Sequence, residues 1–166
     1  MRYSLLAESP IWGCGALIPK CAFERCGLFD LEHRYVSDVE MFFRIAEQFP
    51  FVTIDEPLGA SRRHKAQMTF AKMHLHQTQS NWFLKNGIQK ISDSDLQEAG
   101  TGNIDRALWQ LAFQSKKNGY AEAGQEAWNR MKDHTISQYL KFYYAFPLNI
   151  LWKRIVHIKR QVQIRF

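Results

Sequence analysis

The stretch SDVEMFFR, residues 37–44, gives the clearest indication of local structure in this chain. Ser37 and Glu40 have the spacing of a capping box, in which the serine hydroxyl and the glutamate carboxylate satisfy opposite backbone amides at a helix start. Apolar residues then recur at helical spacing, at Val39, Phe42, Phe43 and Ala46. One face of such a helix is apolar. We therefore predict a helix over residues 38–48.

An apolar run interrupted by glycines precedes this helix at residues 11–18. Its composition predicts a strand. The glycines in it, Gly13 and Gly15, have two interpretations, because a glycine in a strand marks either a bulge or a place where another group approaches the backbone closely. The second interpretation makes this strand a candidate ligand-binding surface.

Shorter elements complete the segment that ends at residue 68. A helical turn over residues 21–26 is expected to end at Gly27, as at a glycine cap. Residues 51–54 predict a short strand between two prolines, and the basic cluster Arg62-Arg63-His64-Lys65 follows in an irregular segment. Four of the five prolines lie before residue 68. We interpret residues 1–68 as mixed strands, turns and one or two helices, and expect any chemistry there.

Residues 69–140 show helical patterns. A clear apolar stripe is formed by Ile104, Ala107, Leu108, Leu111 and Ala112, and it resumes at Ala123, Ala127, Trp128 and Met131. Asn118 and Gly119 between the two stripes are a stop signal. The pattern predicts a helical hairpin.

The carboxy-terminal tail carries all the excess charge. The chain has 22 Lys and Arg against 16 Asp and Glu, and residues 141–166 contain six of the basic residues and no acidic one. In this tail, residues 148–162 have an apolar face and a basic face. Such a helix either lies in an anionic membrane interface or docks on the body with its basic side in water. A charge confined to one terminus argues against a uniformly basic nucleic-acid binder.

The chain has 166 residues and 46% hydrophobic residues, enough for one packed domain. The apolar run at residues 142–152 is too short to cross a membrane, and the first residues lack the continuous apolar core of a signal peptide. We therefore expect a cytoplasmic protein, with possible attachment to the inner membrane face through its tail. Cys14, Cys21 and Cys26 lack Cys-x-x-Cys spacing, so we expect reduced thiols and no structural metal.

Three parts of the first segment together resemble one known family. They are residues 13–30 (GCGALIPKCAFERCGLFD), residues 37–44 (SDVEMFFR) and residues 57–64 (PLGASRRH). Their order and spacing are similar to the acceptor-side half of family 2 glycosyltransferases, which has a small-residue strand, a G-x-F-D turn, an acidic helix start and an Arg-x-His element. The resemblance extends from Gly13 to His64.

The resemblance implies an α/β chain, namely the carboxy-terminal half of a GT-A nucleotide-sugar glycosyltransferase fold followed by a mostly helical extension. It implies inverting transfer of a sugar, of hexosyltransferase type, from a nucleotide diphosphate to an acceptor hydroxyl in polysaccharide or glycolipid synthesis. By position Asp38 would be the base, and the helix dipole favours its ionised form. Arg62 and His64 would contact the diphosphate, and Gly13 and Gly15 the substrate.

Each of these residues also has an ordinary structural interpretation. Asp38 and Glu40 also suit a helix start that has no catalytic role. The cluster at residues 62–65 is equally typical of a basic surface loop. His74 and His76 are two positions apart and would point to different faces of a helix, which disfavours a metal pair. We interpret Asp93-Ser-Asp95 as a helix-capping loop rather than a metal motif.

Two departures from the family matter. Ser37 stands where the family usually has glutamate, and residues 1–12 are too few to supply the nucleotide-binding units or their metal motif. The Mg or Mn ion that the family implies would therefore be bound mainly by residues missing from this chain. We expect residues 1–68 to be the acceptor-side part, 69–140 a helical extension and 141–166 a basic amphipathic tail. The isolated chain is predicted to be inactive, and a separate chain is one possible source of the nucleotide-binding half.

Two alternatives come from other functional classes. A non-catalytic interaction module would use the hairpin at residues 104–132 to dock another protein. A membrane-surface adaptor would work through the basic tail, and its binding to vesicles would weaken with salt. Neither alternative needs Asp38, whereas the glycosyltransferase does.

Overall fold

The structure is a computed structural model that describes residues 1–60, 62, 67, 71–99 and 102–143. Its helices, numbered in chain order, are α1 (Arg2–Ala7), α2 (Lys20–Cys26), α3 (Ser37–Ile45), α4 (Met73–Lys90), α5 (Asp93–Gln97), α6 (Ile104–Lys117) and α7 (Ala121–Arg130). A 3-10 turn lies at Gly13–Gly15, and residues 136–143 are helical. Residues 144–166 of the predicted tail, and with them its amphipathic part, lie outside the described residues.

The α/β architecture expected from the resemblance is wrong for the described part of the chain, which contains helices and no strand. Residues 51–57 are not helical, and Trp12 and Ala16 have extended dihedral angles. A strand exists only when a neighbour hydrogen-bonds to it, and in the described ranges these segments pair with none. Their outward side chains are exposed, with Leu17 fully exposed and Val52 88% exposed.

Helices α6 and α7 form the predicted hairpin. The side chain of Asn103 caps α6 by accepting a hydrogen bond from the amide of Arg106, at 3.0 Å. Gly119 follows α6 with a φ of +88°, a conformation that glycine adopts without strain. At Gly124 the two helices touch so closely that an added Cβ would lie 3.1 Å from the carbonyl oxygen of Ala112. The apolar stripes of both helices are buried, except that Ile104 at the start of α6 is only partly buried.

Helix α1 packs into the same core, which the sequence patterns do not predict. Leu5 and Leu6 are 0% and 5% exposed and belong to one apolar cluster with side chains of α3, α4, α6 and α7. Leu6 lies against Gly87 of α4, where an added Cβ would collide with its Cδ2. Arg2 is also buried, with its guanidinium over the ring of Phe43 and 3.4 Å from Asp95. The first helix therefore joins α3 to the helical extension.

The capping box predicted at the start of α3 is not formed. The helix begins at Ser37 and ends at Ile45, and the Ser37 hydroxyl donates to the carbonyl of Arg34 at 3.3 Å. Glu40 instead accepts two hydrogen bonds of 2.8 Å from Arg44, one helical turn later. Two hydrogen bonds to a guanidinium four residues later stabilise this carboxylate more than one hydrogen bond from a backbone amide would, because both partners are charged.

Candidate functional site

A cleft with a volume of about 800 Å³ lies between the amino-terminal segment, up to Val39, and the helices α4 and α6. Two groups of residues line it. The first group, here called the N-terminal wall, includes Gly13, Cys14, Arg34, Ser37 and Asp38. The second group, here called the helical wall, includes His76, Ser80, Gln114, Ser115, Asn118 and Tyr120. The cleft is large enough for a small ligand such as a sugar unit.

Asp38 lies in the first turn of α3 and is half-buried at the cleft. Its Oδ1 accepts a hydrogen bond of 2.8 Å from the amide of Val39. Its Oδ2 is directed at Gly13, because a Cβ built on that glycine would lie only 2.5 Å from it. The missing side chain of Gly13 therefore leaves the space that the carboxylate occupies, and the close backbone approach expected at this glycine is an approach by Asp38.

Arg44 attaches α3 to the turn after α2. Its guanidinium donates to the carbonyl of Cys26 and, at 2.8 Å, to the carbonyl of Leu28, while Glu40 holds its other side. Gly27, between the two carbonyls, ends α2 with a φ of +82°, which confirms the predicted glycine cap. This contact fixes where the N-terminal wall turns toward the cleft.

The loop that carries Arg34 to the cleft is anchored on α4. His33 stacks on Trp82 with ring centroids 3.4 Å apart, and its Nδ1 lies 2.6 Å from Asp30. The hydrogen bond with His33, helped by bonds from the backbone amides of residues 32 and 33, lowers the pKa of the Asp30 carboxyl. Gln79 adds two hydrogen bonds, accepting from the amide of Tyr35 and donating to the carbonyl of Glu32.

The sequence patterns do not predict the helical wall. A signal is present in retrospect, because Ser80 and Ser115 occupy positions that continue buried apolar stripes, Ser80 with Phe83 and Leu84, and Ser115 with Leu111 and Ala112. A serine in such a stripe is buried by the helix pattern, yet its hydroxyl needs a polar partner. The two serines are 8% and 4% exposed.

The predicted site residues are not all brought together. Gly13 and Asp38 line the cleft, whereas Gly15 ends the 3-10 turn and is not among the lining residues. Arg62 is exposed, and His64 lies outside the described residues. His76 lines the cleft on α4.

The chain offers no evident place for a divalent cation in its described ranges. No group of three or more His, Cys, Asp or Glu side chains there is arranged to hold a metal ion. Asp93 and Asp95 instead occupy the first turn of α5, where Ser92 caps the helix by accepting from the amide of Asp95 at 3.1 Å, as the sequence predicts. The donor set described here therefore does not fit the implied metal.

Over the ranges that the structure covers, no helix combines the length and apolarity needed to span a bilayer. The three cysteines are free thiols, with Cys14 and Cys21 exposed.

Comparison with known proteins gives two relatives. No family model matches the chain, and no solved structure matches it. The chain is 32% identical over 122 residues to an uncharacterized glycosyltransferase of Rickettsia prowazekii, and 32% identical over 125 residues to one of Rickettsia typhi. Each match covers 74% of this chain and 38% of the relative, so the chain spans well under half of their length.

Proposed function

We propose that this chain is part of a glycosyltransferase in which Asp38 is the catalytic base. The reaction is inverting transfer, as in family 2 enzymes, of a hexosyl group from a nucleotide diphosphate to an acceptor hydroxyl in polysaccharide or glycolipid synthesis. One observation carries the proposal: the Asp38 carboxylate lies at a cleft of about 800 Å³, against a glycine that leaves room for it. The names of the two Rickettsia relatives support the same class of enzyme.

The role of Asp38 follows from its position. In a single displacement the acceptor oxygen attacks the anomeric carbon from the face away from the diphosphate, and its proton must pass to a base as the bond forms. Asp38 lines the cleft, so an acceptor hydroxyl bound there has a carboxylate beside it that can take its proton.

The donor is proposed to bind mainly through residues outside this chain, in the rest of a longer protein or in a separate chain. The described cleft has two carboxylates, Glu8 and Asp38, and one guanidinium, Arg34. This charge balance does not suit a diphosphate, which is bound by an excess of cationic groups. Arg62 and His64 stay as proposed contacts to the diphosphate.

The test replaces Asp38 by Asn in the complete enzyme and measures transfer from a panel of nucleotide-diphosphate sugars. We expect kcat to fall by about 100-fold or more, because a general base contributes roughly 10² to 10⁴ to the rate. Donor affinity is expected to stay close to that of the parent enzyme. Asp55→Asn is the matched control, since this carboxyl is exposed and does not line the cleft.

Near-normal transfer by Asp38→Asn would show that Asp38 is not the base. If the complete protein transferred no sugar from any donor, the glycosyltransferase proposal itself would fail, and a non-catalytic role for the chain would remain.

A further inference from the structure

The helical wall presents two buried hydroxyl groups to the cleft. Ser80 of α4 and Ser115 of α6 are more than nine-tenths buried, and both line the cavity. A hydroxyl group that is largely removed from water requires a partner to offset its desolvation. Because these two lie at the cavity surface, a bound ligand can provide that partner.

The neighbouring groups on this wall are neutral hydrogen-bonding side chains. Gln114 and Asn118 lie one turn apart at the end of α6 and line the cleft together with Ser115. A side-chain amide both donates and accepts, and so does a hydroxyl group. The tyrosines Tyr35 and Tyr120 add aromatic surface to the same cleft. Neutral amides, hydroxyls and aromatic rings in one cavity match the chemistry of a sugar, which combines many hydroxyl groups with apolar ring faces.

The charge of the cleft favours a neutral sugar over a phosphorylated ligand. Any cationic charge on the helical wall would have to come from His76, because the other described residues of that wall are uncharged. Binding of a diphosphate normally uses Arg, Lys or several convergent amides. A neutral ligand has no such need.

We propose that the helical wall binds the acceptor, and that the acceptor is a neutral sugar unit whose hydroxyl groups form hydrogen bonds to Ser80, Ser115 and Gln114. The inference rests on the proposed function, in which Asp38 removes a proton from an acceptor in this cleft. It assigns recognition of the acceptor to α4 and α6, which lie outside the region of family resemblance. The N-terminal wall then supplies the base, and the helical extension supplies the specificity.

The test is a titration of the ¹⁵N-labelled 166-residue chain with methyl glycosides of glucose, galactose, mannose and N-acetylglucosamine, followed by NMR. We expect at least one of them to shift the amide signals of residues 80 and 114–118 in the millimolar range. Ser115→Ala and Ser80→Ala are each expected to weaken that binding about threefold to tenfold, the effect of losing one hydrogen bond. Ser94→Ala on α5, whose hydroxyl bonds to Ser92 outside the cleft, is the matched control.

The absence of shifts with all four glycosides would overturn the inference, and so would equal affinity in the serine variants and the parent chain. Shifts of the same amides by pyrophosphate but by no glycoside would also overturn it, because they would define an anion site. The two proposals fail separately. Sugar binding here, together with normal transfer by Asp38→Asn in the complete enzyme, would reject only the assigned base, and the reverse pattern would reject only the acceptor site.

Discussion

At the scale of single residues, Gly13 and Asp38 form one unit. The carboxylate of Asp38 occupies the space beside Gly13 that a side chain would fill, with its Oδ2, Cβ and Cγ at 2.5, 3.0 and 3.1 Å from an added Cβ. A methyl group there would displace the whole Asp38 side chain rather than only its end. The position of the proposed base therefore depends on the glycine.

We predict that Gly13→Ala lowers kcat of the complete enzyme by about 100-fold, because a displacement of the base by about 1 Å can have that effect. Stability should change little, since Gly13 is exposed and lies outside the core. The measurement is transfer rate together with thermal unfolding. Gly59→Ala is the control, because no described atom lies within 4 Å of an added Cβ there. Full activity of Gly13→Ala would show that the position of the proposed base does not depend on Gly13.

The pair of Asp30 and His33 predicts a pH effect on stability. The hydrogen bond with His33 holds the pKa of Asp30 below its ordinary value of 3.8. A carboxyl whose pKa is lower in the folded chain stabilises the fold above its unfolded pKa, and that contribution is lost as the pH falls through the folded pKa. The stabilisation by Asp30 should therefore be complete at neutral pH and disappear in the range below 3.8.

We expect Asp30→Asn to lower the free energy of unfolding by about 0.5 to 1 kcal/mol at neutral pH, the range for the loss of one partly exposed hydrogen bond. The difference in unfolding free energy between this variant and the parent chain should vanish at the lowest pH values. Urea unfolding followed at several pH values measures it, with the exposed Asp55→Asn as the control. A difference that stays constant down to the acidic end would reject this role of Asp30.

At the scale of elements, the α6–α7 hairpin depends on a close contact at Gly124. An added Cβ would lie 2.7 Å from Lys116 Cγ and 3.1 Å from the carbonyl oxygen of Ala112. The first atom belongs to a flexible side chain, but the second is backbone and moves only with its helix. The two helices would have to separate.

We predict that Gly124→Ala destabilises the chain by about 1 to 3 kcal/mol through overpacking. In an open helix the same change would stabilise it by roughly 1 kcal/mol, because alanine has the higher helix propensity. The sign of the change in the urea midpoint therefore tests the contact. Asn129→Ala, at an exposed position of α7, is the control and should stay within about 0.5 kcal/mol of the parent.

The sequence predicts those elements whose signal is local. The stripes of α6 and α7 and the caps at Asn118-Gly119 and Gly27 are complete within a few residues, and the structure contains them. The strands predicted at residues 11–18 and 51–54 require a partner strand, and no local pattern shows whether one is present. The predicted capping box is not formed for a related reason, since Glu40 has a competing partner in Arg44, which also binds carbonyls of the preceding segment.

The same distinction, between local patterns and long-range contacts, applies to the candidate site. Asp38 and Gly13 are predicted from patterns within one segment, and both line the cleft. Their direct contact joins distant positions and is visible only in the fold. The helical wall is not predicted from any local pattern, because Ser80 and Ser115 reach the cleft only when α4 and α6 pack beside the N-terminal segment. Helix α1 is not predicted either, because a short helix is stabilised by tertiary contacts rather than by its own sequence.

At the scale of the whole molecule, charge is divided unevenly along the chain. Residues 1–140 have equal numbers of acidic and basic residues, and the six excess basic residues follow in 141–166. The helical residues 136–143 that lead into the tail expose an apolar stripe, with Ile136 81%, Tyr139 48%, Leu140 52% and Tyr143 38% exposed. An apolar helical surface next to a basic segment is the composition of an interfacial membrane anchor.

From this arrangement we predict that the 166-residue chain binds vesicles containing phosphatidylglycerol and does not bind vesicles of phosphatidylcholine alone. Binding should weaken as salt is raised, because the range of electrostatic attraction shrinks from about 10 Å at 0.1 M to about 3 Å at 1 M. Replacing Lys153, Arg154 and Arg160 by Glu should weaken it by at least about 100-fold, since each basic residue contributes about 1 kcal/mol. The control replaces the exposed Lys72, Lys90 and Lys132 by Glu, which gives the same net charge. Equal loss in both triple variants, measured by co-sedimentation, would assign the attraction to net charge and reject the tail as the anchor.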